Sequence, residues 1–306
     1  MKVLIGYDGS ECAGATLEDL PLAGLPDEVE AEVLSVADVW LPPPEALGLE
    51  PAVKVTPLAV ERARAQAEKK LAEMQAIAQQ GAERLKAIYP AWRVTAEAVA
   101  DSPSWAVIKR ASDWPADLVV VGSHGYAGFN RLTLGSVSHK IVTESACSVR
   151  IARKKERAPD RPLRLVIGLD GSLYADLAVQ TVRNRRWPRG TEAHLITAID
   201  EKVVTAIFQP PEILKQWVGE HDEEPLAWVG RMIGHYRAQL EAAGFKVRSL
   251  VNYGDPKTML IEEAANCDAD CIFIGAKGHS IIERVLIGSV STSIIAKADC
   301  SVEVIR

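Results

Sequence analysis

The feature that most constrains this chain is an internal repeat of domain length. Three strings of the first half return in the second, with Asp-Gly-Ser, Gly-x-x-Gly and Gly-Ser as their shared residues. They lie at 3–10 and 165–172, at 116–125 and 269–278, and at 134–138 and 287–291. Two long copies exclude a solenoid, which needs more and shorter units. We therefore predict two similar domains at 1–154 and 164–306, joined by a linker at 155–163.

Length and composition limit the class of protein. The 306 residues suit two domains of ordinary size, and 48% hydrophobic with 25% charged residues is typical of globular chains. The formal net charge of −6 argues against a nucleic-acid partner. No apolar run reaches the ~18 residues of a membrane span, and Asp8 comes too early for a signal peptide. The 5 cysteines, few and odd in number, favour a reducing compartment, so we expect a cytoplasmic location.

Apolar runs alternate with helical patterns along both copies. Runs bounded by Gly and Asp predict strands buried on both faces. They begin at Val3, Ala31, Val94, Leu118 and Val149, and again at Leu165, Ala193, Lys246, Cys271 and Val302. The segments between them are typical of helices, most clearly Glu61–Ile88, which is rich in good helix formers. This alternation predicts an α/β fold with two open, mostly parallel five-stranded sheets and helices on both faces.

Polar and glycine residues follow the first and fourth predicted strands of each copy. Ligands of open α/β sheets bind beyond the carboxyl ends of the strands, where the winding direction reverses. Asp8 follows strand one, Gly122 and Gly125 follow strand four, and Gly135-Ser136 come after nine intervening residues. The second copy keeps this spacing without a gap. Its matching residues are Asp170, Gly275, Gly278, Gly288 and Ser289.

These residue types suit a phosphate group. Glycine has no Cβ, so backbone N–H groups at Gly122, Gly125 and Gly135 can approach an oxygen-rich ligand. Ser136 is a candidate N-cap, and the N–H groups of Ser136 and Val137 are unpaired donors at the positive end of a helix dipole. Asp8 would instead accept hydrogen bonds from a sugar or base, or help hold a metal–phosphate group. One Gly-x-x-Gly alone favours a structural loop, but its recurrence with Asp-Gly-Ser favours binding.

The strings resemble the nucleotide-binding signature of the universal stress protein family, and the resemblance covers nearly the whole chain as a tandem pair. It implies strand order 3-2-1-4-5 in each copy and ATP, or ADP or AMP, across strands one and four, with or without Mg²⁺. The aspartate and the end of strand two would hold adenine and ribose, and the glycine corner would hold ribose and phosphates. The implied positions are Asp8, Val36, Gly122, Gly125, Gly135, Ser136 and Val137, and Asp170, Ala198, Gly275, Gly278, Gly288, Ser289 and Val290.

The resemblance also implies how the copies associate. Single-domain members dimerise through their last strand, so Val149–Ala152 and Val302–Ile305 would pair within this chain and satisfy both edges. Further association into a homo-oligomer is expected. Two departures concern the sites: copy two has the family's Gly-x-Pro at 254–256 where copy one has Asp101-Ser102-Pro103, and Ala198 replaces Val36.

Three functions remain open on these residues. The first is an ATP-binding stress-response or regulatory protein, at most a slow ATPase. The second is a scaffold or adaptor with a vestigial nucleotide pocket. The third is an enzyme of the ATP pyrophosphatase type, which is less favoured because residues 8–12 do not form its phosphate loop. The P-loop and dinucleotide-binding motifs are absent, which argues against P-loop hydrolases and dinucleotide dehydrogenases.

No catalytic residue or metal site is predicted. The 6 histidines are scattered, and Cys267 and Cys271 lie four apart, unlike zinc or redox Cys-x-x-Cys pairs. Cys271 falls inside an apolar strand and is expected to be a small buried residue. The cations of the linker are interpreted as a solvated connector rather than as a phosphate-binding patch.

Overall fold

The computed structural model describes residues 1–39, 57–124, 134–158, 160–199, 227–278 and 287–306. Strands and helices alternate throughout. The first copy comprises β1 (Lys2–Gly6), α1 (Glu11–Asp19), β2 (Glu30–Ala37), α2 (Pro57–Ile88), β3 (Arg93–Ala100), α3 (Pro103–Asp113), β4 (Leu118–Gly122), α4 (Ser136–Glu144) and β5 (Ser148–Ala152). The second comprises β6 (Arg164–Gly168), α5 (Leu173–Asn184), β7 (Glu192–Ile199), α6 (Ala227–Ala242), β8 (Lys246–Tyr253), α7 (Pro256–Asn266), β9 (Cys271–Gly275), α8 (Ser289–Lys297) and β10 (Ser301–Ile305).

The strands form one continuous sheet. Their order is β3-β2-β1-β4-β5-β10-β9-β6-β7-β8, so each copy has the order 3-2-1-4-5 that the resemblance implied. The two copies meet where β5 and β10 pair antiparallel, with Ile151 opposite Val302 and Val149 opposite Val304. This confirms the expected pairing of the last strands. The prediction of two separate five-stranded sheets was wrong. The edge strands β5 and β10 satisfy each other's backbone groups and so join the two sheets into one.

The antiparallel pair sets the direction of each half. Within each copy the strands are paired parallel. Because the pair of β5 and β10 is antiparallel and the other neighbouring pairs are parallel, the strands of copy one run opposite to those of copy two. The carboxyl ends of the strands therefore lie at one edge of the sheet in copy one and at the opposite edge in copy two.

The sheet is covered differently on its two faces. On one face a single core crosses between the copies, and it includes Ile141 of α4, Val149 of β5, Ile294 of α8 and Val302 of β10. The other face carries two separate cores, one under α1 and α2 and the other under α5 and α6. The outer strand β8 is an exception to the expected burial, since Tyr253 is 74% exposed.

A buried ionic cluster separates the two cores. Arg150 of β5 is fully buried and lies opposite Glu303 of β10, at the same position of the repeat. Its guanidinium contacts Asp19 Oδ2 at 2.5 Å, Glu303 Oε2 at 3.2 Å and Cys271 Sγ at 3.2 Å. Arg185, the C-cap residue after α5, donates to the same Glu303 carboxylate at 2.9 Å. Cys271 is buried as predicted, within hydrogen-bond distance of this cluster.

The linker is held to the second copy. Lys155 Nζ lies 2.7 Å from Asp268 Oδ1, and Arg161 Nη2 lies 2.6 Å from Asp270 Oδ1. The side chain of Arg161 is only 10% exposed. The prediction of a solvated connector was therefore wrong for these residues, because acidic groups before β9 give the cations fixed partners.

Candidate functional site

The Asp-Gly-Ser strings form the same turn in both copies. Asp8 Oδ1 accepts the Ser10 N–H at 3.0 Å, and Ser10 Oγ accepts the Ala13 N–H at 3.2 Å, which caps α1. Gly9 has φ +79°, a left-handed conformation that favours glycine. The second copy repeats this geometry, with Ser172 N to Asp170 Oδ1 at 2.9 Å, Ala175 N to Ser172 Oγ at 3.3 Å and Gly171 at φ +82°. Ser10 and Ser172 are thus the N-caps of α1 and α5.

The loop after β9 lies against this turn. A Cβ atom at Gly278 would stand 2.6 Å from Asp170 Oδ2, so only glycine leaves room for the carboxylate there. Ser172 Oγ also lies 3.4 Å from the carbonyl oxygen of Lys277. The structure thus brings Asp170 and Gly278 together, as the spacing predicted. Gly125, the matching residue of copy one, lies outside the described residues.

The first glycine of each motif makes room for a helix. A Cβ atom at Gly122 would lie 2.9 Å from the carbonyl oxygen of Cys12, at the start of α1. At Gly275 it would lie 2.6 Å from Cβ of Tyr174, at the start of α5. The sequence predicts that these glycines allow close approach of a ligand. This prediction was wrong for the space on the Cβ side of the two glycines, because the start of α1 or α5 occupies it.

The starts of α4 and α8 differ from expectation by one residue. The N-caps are Gly135 and Gly288, both extended, so Ser136 and Ser289 are the first helical residues and not caps. The N–H of Gly135 donates to the carbonyl of Ser123 at 2.8 Å, and that of Gly288 to the carbonyl of Ala276 at 2.7 Å. These two N–H groups are therefore used within the corner.

Donors remain in the first turn of each of these helices. Neither helix has a side-chain cap among the residues described, and the first-turn N–H groups have no intrahelical partner. These are the N–H groups of Ser136 and Val137, and of Ser289 and Val290. They stand at the positive end of the helix dipole, next to the corner that follows β4 or β9. This part of the predicted phosphate site is present in both copies.

Two further serines hold the corner together. Ser138 Oγ donates to the carbonyl of Gly122 at 2.7 Å, and Ser291 Oγ donates to the carbonyl of Gly275 at 2.7 Å. Each ties the first turn of its helix to the end of the neighbouring strand. Sequence reasoning missed this role, although both serines belong to the repeated Gly-Ser-Val-Ser string.

The ends of the second strands lie beside the turns. Val36 is half-buried and pairs with Val99, whereas Ala198 is 9% exposed and pairs with Asn252. Ser35 Oγ donates to the carbonyl of Tyr7 at 2.5 Å in copy one. The matching Oγ1 of Thr197 is buried with no hydrogen-bond partner in the described part of the chain.

The two corners differ in charge. His124 precedes the second glycine of copy one, and its Nδ1 lies 3.2 Å from Ser123 Oγ. Burial and the nearby Arg153 lower the pKa of His124, so the ring is neutral at pH 7. Lys277 takes its place in copy two and carries a positive charge. The second corner is therefore the better matched to a polyanion.

Comparison with known families decides the assignment. The sequence model of the universal stress protein family matches residues 1–153 and again residues 163–306. The chain belongs to the universal stress protein family. It is a tandem member, since each match covers one copy of the repeat. The resemblance seen in the sequence is confirmed.

Relatives and solved structures agree with this assignment. A universal stress protein of Mycobacterium tuberculosis is 26% identical over 193 residues, which are 62% of this chain and 62% of that protein. One of Mycolicibacterium smegmatis is 26% identical over 192 residues, with the same coverage. The chain thus matches less than two thirds of the length of these relatives. The crystal structure of a universal stress protein from Archaeoglobus fulgidus shares the fold, with TM-score 0.66, 20% identity and coverage of 100% of this chain and 98% of that one.

The helices were also compared with the requirements of a membrane span. Within the described ranges, no helix of this universal stress protein combines the length and the apolar character needed to cross a bilayer.

Proposed function

We propose that each copy binds an adenine nucleotide at its corner, and that the chain acts as a nucleotide-dependent regulatory protein of the stress response. The observation that carries this is the contact between Asp170 and Gly278 beside the uncapped start of α8. It joins an acceptor for sugar or base hydroxyl and amine groups to a set of backbone donors for phosphate. The same elements recur in copy one at Asp8 and α4.

Each part of the nucleotide has a proposed place. The first-turn N–H groups of α4 or α8 would bind phosphate oxygens, with Mg²⁺ carried on the phosphates when ATP is the ligand. Asp8 and Asp170 would accept hydrogen bonds from ribose or adenine. Val36 and Ala198 stand at the ends of β2 and β7, where the base would pack.

Binding is proposed to be tighter in copy two. Lys277 supplies a positive charge where copy one has the neutral His124. In addition, Asp101 of copy one stands where copy two has Gly254, and an extra carboxylate opposes a bound anion. The Asp101 carboxylate accepts the N–H of Ser102 at 2.6 Å, which offsets part of that charge.

Hydrolysis would be slow at most. Asp8 and Asp170 each accept a backbone N–H of their own turn, and the serine hydroxyls of these turns cap helices. The serine hydroxyls are therefore committed to structure, and the turn does not form the open Ser/Gly-rich phosphate loop of an ATP pyrophosphatase. A regulatory binding protein fits these contacts better than an enzyme.

The test is nucleotide stoichiometry with one site removed at a time. Nucleotide is first extracted from the purified chain, and ATP, ADP and AMP are then titrated by calorimetry. We expect two sites in the unaltered chain and one after Gly278→Val, because the valine side chain displaces Asp170. Gly125→Val is the companion variant for copy one. Gly230→Ala in α6 is a matched control, since a Cβ atom there meets no atom of the described residues within 4 Å.

A scaffold with a vestigial pocket is the second candidate. It is favoured by the N–H groups of Gly135 and Gly288, which already bond to carbonyls of the corner. No bound nucleotide and no heat of binding for any of the three nucleotides would establish it. Unchanged stoichiometry in both valine variants, by contrast, would show that binding occurs elsewhere.

A cytoplasmic location and association of chains into a homo-oligomer are also proposed. Because β5 and β10 pair with each other, β3 and β8 are the outer strands of the sheet. Association of chains would therefore use surfaces other than the edges of β5 and β10. Sedimentation of the full chain with and without ATP would measure the assembly state.

A further inference from the structure

Three potential metal ligands lie together in copy two, away from the nucleotide corner. His194 is the third residue of β7, and Glu263 and Cys267 lie four residues apart at the end of α7. One nitrogen, one oxygen and one sulfur atom of these side chains lie within 4.8 Å of one another. The corner lies at the carboxyl end of the strands, whereas His194 lies near the amino end of β7. The cluster is therefore a separate feature.

The histidine is fixed and deeply buried. Its side chain is 3% exposed, and Nδ1 lies 2.7 Å from Glu263 Oε1. Its Nε2 is buried without a hydrogen-bond partner among the residues that the structure describes, and the nearest carboxylate oxygen, Glu192 Oε2, lies 3.9 Å away. A ring with one nitrogen unsatisfied is costly in a protein interior.

We propose that His194, Glu263 and Cys267 bind a divalent transition metal of the Zn²⁺ class, with a fourth position left for water. Imidazole nitrogen, thiolate sulfur and carboxylate oxygen are all ligands of zinc. With Nδ1 on the metal, Nε2 carries the proton and faces Glu192 Oε2 at 3.9 Å, and that carboxylate accepts from Arg164 Nε at 3.3 Å. A carboxylate behind a metal-bound histidine is the usual supporting arrangement.

The local field favours a cation at this point. Cys267 is the C-cap of α7, so the negative end of the helix dipole faces the cluster. Arg164 is a neighbouring cation, but its guanidinium is engaged by Glu192 and by the carbonyl of Cys267 at 2.9 Å. Lys155 is likewise engaged by Asp268.

Copy one provides an internal comparison. The repeat places Glu32, Arg110 and Trp114 where copy two has His194, Glu263 and Cys267. There the carboxylate and the guanidinium form a two-pronged pair, with both contacts at 2.6 Å. The Glu32 carboxylate and the Arg110 guanidinium satisfy each other's hydrogen bonds, and the pair offers no sulfur or imidazole ligand to a metal. Where copy one has this ion pair, copy two has three potential metal ligands, and His194 Nε2 lacks a hydrogen-bond partner among the described residues.

Metal binding must displace a proton from the thiol. Burial and the neighbouring Glu263 raise the pKa of Cys267 to about 11, so the free thiol is protonated at neutral pH. The metal forms the bond to sulfur and the proton passes to solvent, with no change of oxidation state.

Cobalt(II) provides a direct readout, because thiolate ligation gives a charge-transfer band in the near ultraviolet. The full chain is titrated with Co²⁺ and then with Zn²⁺. We expect one equivalent of Co²⁺ to produce the band, Zn²⁺ to abolish it, and one proton to be released. Cys267→Ser should remove the band, and His194→Gln should weaken Co²⁺ binding at least tenfold.

Cys12→Ser is the matched control, since Cys12 is half-buried and lies in the other copy. It should leave the spectrum unchanged. Circular dichroism of each variant confirms that the fold survives. A chain that gives no band with Co²⁺, or a band that persists in Cys267→Ser, would overturn the proposal, and His194 and Glu263 would then be a buried hydrogen-bonded pair only.

Discussion

At the residue scale, a serine at the start of a helix has a different role at the N-cap position than at the first helical position. Ser10 and Ser172 are N-caps, and each accepts a backbone N–H from the first turn. Ser136 lies one residue further into its helix and caps nothing, because Gly135 holds the cap position.

This difference predicts unequal costs of removing the hydroxyl. Ser10→Ala or Ser172→Ala should lower the free energy of unfolding by about 1 kcal/mol, since each loses a capping hydrogen bond. Ser136→Ala should change it little, because alanine is a good helix former at the first helical position. Urea unfolding of the three variants measures this. Equal losses would contradict the assignment of the caps.

Sequence reasoning at this scale found the residues but not all of their contacts. Asp-Gly-Ser could be interpreted correctly because its hydrogen bonds are local. The contact of Gly122 with Cys12, and the use of the Gly135 N–H by Ser123, depend on how distant elements pack. A local pattern carries no information on such contacts.

At the element scale, the turn after α1 contacts the end of α5 across the boundary between the copies. Gly24 has φ +64°, and a Cβ atom there would lie 2.7 Å from the indole of Trp187. The carbonyl of Gly24 also accepts the N–H of Arg186 at 2.9 Å. Gly190 is a natural comparison, because it has φ +83° but no atom in the described part of the chain lies within 4 Å of its Cβ position.

The two glycines separate backbone strain from a contact between the copies. Gly190→Ala should cost about 1–2 kcal/mol of unfolding free energy, the usual cost of a left-handed alanine. Gly24→Ala should cost more, because Trp187 must also move. Urea unfolding of both variants tests this. A smaller loss for Gly24→Ala would show that the indole adapts freely and does not help to join the copies.

The positions of the strands and helices were largely predictable from the sequence, whereas the joining of the two sheets into one was less predictable. All ten predicted strands are present, because apolar runs between turn residues are a strong local signal. β8 extends to Tyr253, beyond the apolar run, since pairing with β7 continues there. The merging of two sheets into one depends on contacts between residues about 150 apart in the chain, such as Arg150 and Glu303.

At the scale of the whole molecule, the buried ionic cluster joins the two halves and makes stability sensitive to acid. Burial alone would raise the pKa of Glu303, but Arg185 and Arg150 outweigh it and hold the pKa below the ordinary value of 4.5. A carboxylate with a lowered pKa stabilises the folded state above the unfolded pKa. That contribution is lost as the pH falls through the folded pKa.

We therefore expect the free energy of unfolding to fall as the pH is lowered below about 4.5. Glu303→Gln should lose less stability over the same pH range, although it is less stable at pH 7 because Arg150 and Arg185 keep their charge without this partner. Urea unfolding at several pH values gives both curves. Parallel curves would show that other carboxylates dominate acid unfolding.

The reversal of strand direction between β5 and β10 determines where the two proposed nucleotide pockets face. The two proposed nucleotide pockets open toward opposite poles of the molecule. Occupation of one pocket would therefore leave the entrance of the other unobstructed, and the two nucleotides would enter and leave this chain from opposite directions.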